Sequence, residues 1–259
     1  MKGLTRICKY GVIYMTMEKV VAIWKKIGQT PLETIIEFRE KNEEYRVEKI
    51  SYAGRLDPMA EGVLLLLVGE ENKKREKYEG LKKSYEVEIL FGLETDTYDK
   101  LGMVREIDTQ VIREEVERSL QSFVGKINQK FPPYSSKPVN GKPLYWWARE
   151  GRLGEIEIPS HEVEIFAISS LGWKKVRAKD LAEQAIKDVL LVQGDFRQEA
   201  IINSWKKIGE EDKAYDVVNL SIECSGGTYM RQLAHDLGEE AGSGAMCLSI
   251  KRISVGEFS

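Results

Sequence analysis

Cysteine and histidine are scarce in this sequence, and their scarcity argues against two kinds of site. The 259 residues include three cysteines, Cys8, Cys224 and Cys247, and two histidines, His161 and His235. An odd number of cysteines without a CxxC pair argues against a disulfide framework, and free thiols are typical of a reducing compartment. The two histidines are far apart in the chain and lack metal-ligand spacing, so no metal site is expected.

Long apolar runs and an excess of charge are also missing. The longest apolar run, Val63–Val68, is far too short to cross a bilayer. Residues 1–18 have no sustained apolar stretch and no small-residue cleavage site, so they are predicted to be an N-terminal extension and not a signal peptide. Because the formal net charge is -3, a nucleic-acid partner would need a local basic surface. We expect a cytoplasmic protein without membrane contact.

The patterns that are present predict a mixture of strands and helices. Lys83–Gly92 alternates apolar and polar residues, as a half-buried strand does. Thr30 before Pro31 predicts a helix N-cap, and two amphipathic helices are predicted around Ala178–Gln193 and Arg197–Ile208. With 42% hydrophobic residues and no repeat, the chain is predicted to form one α+β domain around a central sheet.

The stretch "YAGRLDPMAEGVLLLLVG" places a carboxylate, Asp57, just before a buried strand. A residue before proline is pushed to extended geometry, and Gly54 and Gly62 allow positive φ or close backbone approach. Asp57 could simply cap a turn, with Pro58 in the first position of a helix. It could also be the centre of an active site. The turn on its own favours the cap; the length of the motif favours the functional interpretation.

Two further stretches carry possible chemistry. In "CSGGTYMRQLAHDLG" a Gly-Gly turn starts a helix, with Thr228 as the predicted N-cap and Arg231 in the first turn. Arg231 could bind an anion there or pair with a carboxylate such as Asp57. Tyr85 begins a strand, where it is either a core residue or a platform for a flat base.

Five blocks of the sequence, in their order and spacing, resemble the TruB family of tRNA pseudouridine synthases. They are Lys25–Pro31, Gly54–Lys73, Lys83–Val104, Pro132–Gly151 and Cys224–Ala245. The resemblance implies a pseudouridine synthase fold, in which a mixed, mostly antiparallel central sheet is flanked by helices and carries a mobile RNA-clamping insertion. It also implies a cofactor-free isomerisation of uridine in the T loop of tRNA, at family position uridine 55, after the base flips out of the loop.

The resemblance assigns roles to particular residues. Asp57 matches the catalytic aspartate, Arg231 the arginine that pairs with it and Tyr85 the aromatic that stacks on the uracil. The expected substrate-binding residues are Tyr52, Ile250, Arg252, Lys137 and Lys142. Tyr52 stands where the family usually has a histidine that displaces the base. Ile250 matches an apolar residue against the base, and Arg252 follows as an expected phosphate contact.

The expected organisation is a single catalytic domain over residues 1–259, without the C-terminal PUA-type domain that many members carry. Residues 130–152 form the predicted RNA-clamping segment. Residues 174–212 form a predicted extra helical insertion, expected to be peripheral. The partner is expected to be the T stem-loop of tRNA, bound by a monomer. Two alternatives stay open, namely a pseudouridine synthase acting on ribosomal RNA and a catalytically silent tRNA-binding or tRNA-folding protein.

Overall fold

The computed structural model of the protein describes residues 18–107 and 109–259. Apart from Glu18, the predicted N-terminal extension lies outside the described residues, as does Cys8. The strands are β1 (Val20–Lys25), β2 (Ile50–Ala53), β3 (Ala60–Val68), β4 (Lys83–Phe91), β5 (Leu93–Thr95), β6 (Val104–Glu106), β7 (Gly125–Lys130), β8 (Pro138–Val139), β9 (Lys142–Pro143), β10 (Ser160–Arg177), β11 (Ala214–Cys224) and β12 (Ala245–Val255). The helices are α1 (Pro31–Lys41), α2 (Arg75–Glu79), α3 (Arg113–Ser119), α4 (Leu144–Arg149), α5 (Ala178–Leu191), α6 (Gln198–Gly209) and α7 (Met230–Glu240).

An eight-stranded sheet organises the chain. Its order is β1-β3-β12-β4-β11-β10-β7, and β2 pairs with β3 beside that path. The pairings are antiparallel except for the short parallel pairing of β12 with β3. The sheet is therefore mixed and mostly antiparallel, which confirms the predicted α+β fold class. β12 lies between β3 and β4, in the middle of the sheet.

The two faces of the sheet carry separate cores. On one face, Tyr85, Val87, Ile89 and Phe91 of β4 pack with residues of α3 and α7, so the predicted alternation is confirmed. On the other face, Leu90 joins apolar residues of β11 and β12 against α5 and α6. Within the described ranges, no helix has the length and apolar character that crossing a bilayer requires.

Predictions for helix starts had mixed outcomes. The N-cap at Thr30 is confirmed, and the structure adds a capping box: the Thr30 hydroxyl accepts from the Glu33 N–H and the Glu33 carboxylate accepts from the Thr30 N–H. The N-cap at Thr228 is wrong: α7 has Tyr229 as N-cap, and the Thr228 hydroxyl donates to the Ser225 carbonyl. The alternative that Asp57 caps a helix is also wrong, since strand β3 follows it.

The α5–α6 hairpin confirms the two predicted helices but not their peripheral placement. The predicted segment 174–212 begins within β10, because that strand extends to Arg177. Trp205 of α6 is fully buried, and its indole N–H donates to the Lys100 carbonyl at 3.1 Å. Asp188 of α5 forms a buried ion pair with the Lys100 ammonium. The hairpin therefore covers one face of the sheet and belongs to the core.

Candidate active site

Asp57 lies in the turn between β2 and β3, with its side chain 29% exposed. Leu56 and Met59 on either side of it are buried. The Asp57 carbonyl accepts from the Ala60 N–H at 3.0 Å, which closes the turn just as β3 begins. Burial of the apolar neighbours fixes the turn and leaves the carboxylate facing a cavity.

Arg252 holds this turn from below. Its guanidinium donates to the carbonyls of Gly54 at 2.9 Å and Val63 at 2.7 Å, and only 1% of the residue is exposed. A Cβ at Gly62, where φ is +120°, would lie 2.2 Å from the Arg252 carbonyl oxygen, so this contact requires glycine. The expectation that Arg252 faces phosphates is wrong, because the residue is buried and its Nε and Nη2 donate to backbone carbonyls inside the protein.

Arg231, in the first turn of α7, distributes its donors over three segments. Nε donates to Asp57 Oδ2 at 2.8 Å, Nη1 to the Thr97 carbonyl at 2.7 Å, and Nη2 to the Tyr134 carbonyl at 3.3 Å. Although burial alone would lower it, the pKa of Arg231 is raised by the carboxylates of Asp57 and Asp99. The predicted pairing of Arg231 with Asp57 is therefore present, as a single hydrogen bond.

Asp99 is a site residue that sequence reasoning missed. It is 4% exposed, and its Oδ2 lies 3.7 Å from Arg231 Nε. Burial raises the pKa of Asp99, and the Arg231 charge opposes that shift. Two carboxylates thus share one buried guanidinium. Asp99 lies inside the block Lys83–Val104, where the run of short polar residues in "LETDTYDKLG" was the available signal.

The cavity in front of Asp57 has a volume of about 810 Å³. Tyr85 and Ile250 line it, each with about 6% of its surface exposed. Burial raises the pKa of Tyr85, so its phenol keeps its proton at neutral pH. The structure therefore brings Asp57, Arg231, Tyr85 and Ile250 together, with Arg252 beneath them.

Basic residues predominate around the cavity, although the chain as a whole is acidic. Six basic and four acidic residues line it. Arg55 and Arg149 lie at its rim, where Arg55 donates to the Ser136 hydroxyl at 2.7 Å and Arg149 donates to the Asp195 carboxylate at 2.5 Å. Lys83, Arg231 and Arg252 are buried, so the exposed positive charge at this cavity lies at its rim, on Arg55 and Arg149.

Three predicted substrate-binding residues do not line the cavity. Tyr52 packs in a different apolar cluster, beneath the Arg75 guanidinium at 5.4 Å. The Lys137 ammonium lies 4.9 Å from the centre of the Phe131 ring, and that of Lys142 lies 5.4 Å from the Trp146 ring. Both lysines are exposed on the predicted clamping segment.

One group of side chains has the composition of a metal site. The ligand atoms of Glu94, His235 and Glu239 lie within 4.8 Å of one another. These residues do not line the Asp57 cavity, and Glu94 already pairs with Arg105 at 2.6 Å. The group therefore has no part in the chemistry at Asp57.

The chain also matches a family model and named relatives. The model for the TruB family pseudouridylate synthase (N terminal domain) matches residues 42–188. The tRNA pseudouridine synthase B of Clostridioides difficile is 31% identical over 93% of this chain and 67% of its own length. This chain belongs to the TruB family. The corresponding enzyme of Lactobacillus acidophilus is 31% identical over 92% of this chain and 69% of its own length.

Solved structures support the same fold for this TruB-family pseudouridine synthase. One is a chain from an H/ACA RNP bound to a substrate RNA containing 2′-deoxyuridine, with a TM-score of 0.54 and 16% identity. Another comes from a Cbf5-Nop10-Gar1 complex, with a TM-score of 0.56 and 16% identity. Each match covers 93% of this chain and about half of the other, 48% and 49% respectively.

Proposed function

We propose that this chain converts uridine to pseudouridine in the T loop of tRNA, at family position 55, with Asp57 as the catalytic carboxylate. One observation carries the proposal. The Asp57 carboxylate is held by Arg231 at 2.8 Å, at the edge of a cavity of about 810 Å³ that a flipped nucleotide can enter. The name tRNA pseudouridine synthase B, shared by the relatives, supports tRNA as the substrate.

The reaction is an isomerisation that conserves all atoms and electrons. The C1′–N1 glycosidic bond breaks, the uracil turns, and C5 bonds to C1′. The C5 proton leaves and N1 gains a proton, so no oxidant or reductant is needed. Asp57 supplies a carboxylate that adds to the ring or attacks the sugar, and Arg231 orients it through the Nε–Oδ2 hydrogen bond.

Tyr85 and Ile250 form an apolar slot for the base in this proposal. Both are buried at the cavity wall, where the ring of Tyr85 can stack on the face of the uracil before and after the base turns. Because burial raises its pKa, Tyr85 acts as a neutral phenol and not as a phenolate base.

The predicted clamping segment, residues 130–152, binds the RNA around the flipped base. Lys137 and Lys142 are exposed beside aromatic rings, an arrangement suited to phosphates and unstacked bases. In this proposal a monomer binds the T stem-loop.

Replacing the carboxylate with an amide tests the central claim. Asp57→Asn keeps the size of the side chain but removes its charge, so pseudouridine formation should fall at least about a thousandfold while RNA affinity is retained. Asp180→Asn removes a carboxylate from an exposed ion pair on α5 and serves as the matched control. Turnover by Asp57→Asn near that of the control would refute the role of Asp57.

The substrate assignment is tested with three RNAs. A minimal T-arm hairpin and a full tRNA transcript should both be modified, and a transcript with cytidine at position 55 should gain no pseudouridine. Pseudouridine mapping after incubation with the protein reads all three. Ribosomal RNA is mapped in parallel, and modification there with the T loop left unmodified would favour the alternative substrate.

A further inference from the structure

The loop between α5 and α6, residues 192–197, reaches the cavity that contains Asp57. Three consecutive residues of the loop line this cavity: Asp195, Phe196 and Arg197. The loop is braced internally, because the Gln198 side-chain amide donates to the carbonyls of Val192 at 3.1 Å and Gly194 at 2.7 Å. The hairpin thus contributes a defined wall of the site.

Arg197 makes the main contacts of this wall. Its Nη1 donates to Asp96 Oδ2 at 2.7 Å, and its guanidinium lies 4.6 Å from the centre of the Tyr134 ring. The Tyr134 hydroxyl donates to the same carboxylate oxygen at 3.0 Å. Arg197 also has a φ of +64°, a conformation that a non-glycine residue keeps only when its surroundings enforce it.

The two residues that Arg197 holds lie on segments that anchor Arg231. The Tyr134 carbonyl accepts from Arg231 Nη2, and the carbonyl of Thr97, next to Asp96, accepts from Nη1. Arg231 in turn holds Asp57. A continuous set of contacts therefore connects the hairpin to the carboxylate.

We propose that Arg197 is a positioning residue, which fixes the Arg231–Asp57 pair through Tyr134 and Asp96. The proposal rests on the proposed function and extends it to the hairpin. Arg197 is not a free phosphate contact, because Asp96 already neutralises its charge and only 26% of its side chain is exposed. It differs in this from the exposed lysines of the clamping segment.

Single-turnover kinetics on bound RNA separate these roles. Arg197→Ala should lower the rate at saturating RNA about tenfold or more, since small misplacements at a reacting centre are costly, with the RNA Kd and its salt slope unchanged. Arg197→Lys keeps the ion pair but loses the planar stack on Tyr134, so its rate should be intermediate. Lys187→Ala removes an exposed positive charge from α5 and serves as the control.

Amide hydrogen exchange gives a readout that does not need activity. The N–H groups of Leu144 and Tyr145 donate to the carbonyls of Lys137 and Ser135 within the clamping segment. If Arg197 holds that segment through Tyr134, these amides should exchange faster in Arg197→Ala than in the wild type or Lys187→Ala. Arg197→Lys provides the same comparison if the alanine variant does not fold.

Two results would overturn the proposal. A weaker Kd with a shallower salt slope, and an unchanged rate on bound RNA, would make Arg197 a phosphate contact. Rates and exchange equal to those of the wild type would make the loop a passive wall. If the wild-type protein left tRNA unmodified, the proposed function would be wrong, and the exchange experiment would still decide whether Arg197 holds the segment.

Discussion

The two segments that flank the Asp57 cavity are held in place by different forces. The α5–α6 hairpin buries Trp205 completely and pairs Asp188 with Lys100 away from solvent. The clamping segment, residues 130–152, leaves Trp146 partly exposed, with the cations of Lys142 and Arg152 about 5.4 and 5.5 Å from its ring. Tryptophan thus stabilises the fold in one segment and remains available to a ligand in the other.

The difference in burial suggests different roles for the two segments: the hairpin supports the cavity, and the clamping segment is the one expected to respond to RNA. A wall built from buried contacts keeps its geometry, because moving it would expose apolar surface and an ion pair. A wall held by exposed polar contacts can rearrange at little cost. The hairpin is therefore the better-buried wall, and any rearrangement of the clamping segment is expected in its exposed part, away from Tyr134, which anchors Arg231.

The largest expected effect tests the two tryptophans against each other. Trp205→Ala should lower the free energy of unfolding by about 3–5 kcal/mol, because it leaves a cavity in the core. Trp146→Ala should cost about 1 kcal/mol or less. Urea unfolding of both variants measures the difference, and equal losses would remove the contrast between the two walls.

The two ion pairs give a second test. Asp188→Asn should destabilise the protein by about 3 kcal/mol, since Lys100 would keep a buried charge without its partner. Asp195→Asn removes the partner of Arg149, where side chains are 40% and 76% exposed, and should cost about 0–1 kcal/mol. Denaturant midpoints at one pH decide this, and a larger loss for Asp195→Asn would contradict it.

RNA binding should show the reverse ranking. Replacing Lys137 and Lys142 together with glutamine should weaken affinity and reduce the slope of log K against log salt by about 1–2. Lys187→Gln on the hairpin should change neither quantity. Fluorescence-based titrations at several salt concentrations measure both, and an unchanged slope in the double variant would place the phosphate contacts elsewhere.

The smallest effect concerns the cavity floor, which belongs to neither wall. Burial lowers the pKa of Lys83 to about 8. Above that pH the unfolded chain binds a proton that the folded chain does not, so this lysine makes stability rise with pH toward its unfolded pKa. Relative to Lys83→Met, the wild type should gain up to about 1 kcal/mol between about pH 7 and 8.5. If the free energies of unfolding of the two proteins changed equally with pH, this prediction would be wrong.

Local sequence patterns predicted the helices and strands well, but they predicted a smaller part of the site. The alternation in β4 and the N-cap at Thr30 depend on neighbouring residues, and both were predicted correctly. The family resemblance selected Asp57, Arg231 and Tyr85, which the fold brings to one cavity from distant parts of the chain. Their individual roles stay predictions.

The errors came from contacts that no local pattern encodes. Arg252 follows Lys251 and was expected to contact phosphates, but tertiary packing turns its guanidinium onto backbone carbonyls. Tyr52 lies close to Asp57 in sequence, and strand pairing carries it into another cluster. Arg197 reaches the cavity only because the hairpin packs on the sheet.

The central position of β12 makes assembly of the cavity depend on a strand that is late in the sequence order. Before Ala245–Val255 joins, the sheet exists as two pieces: one contains β3 and the adjoining turn with Asp57, and the other contains β4 with Tyr85. Both pieces then present open strand edges, which favour aggregation. A growing chain on the ribosome therefore lacks the assembled cavity until this strand emerges, and its open strand edges are exposed during that interval.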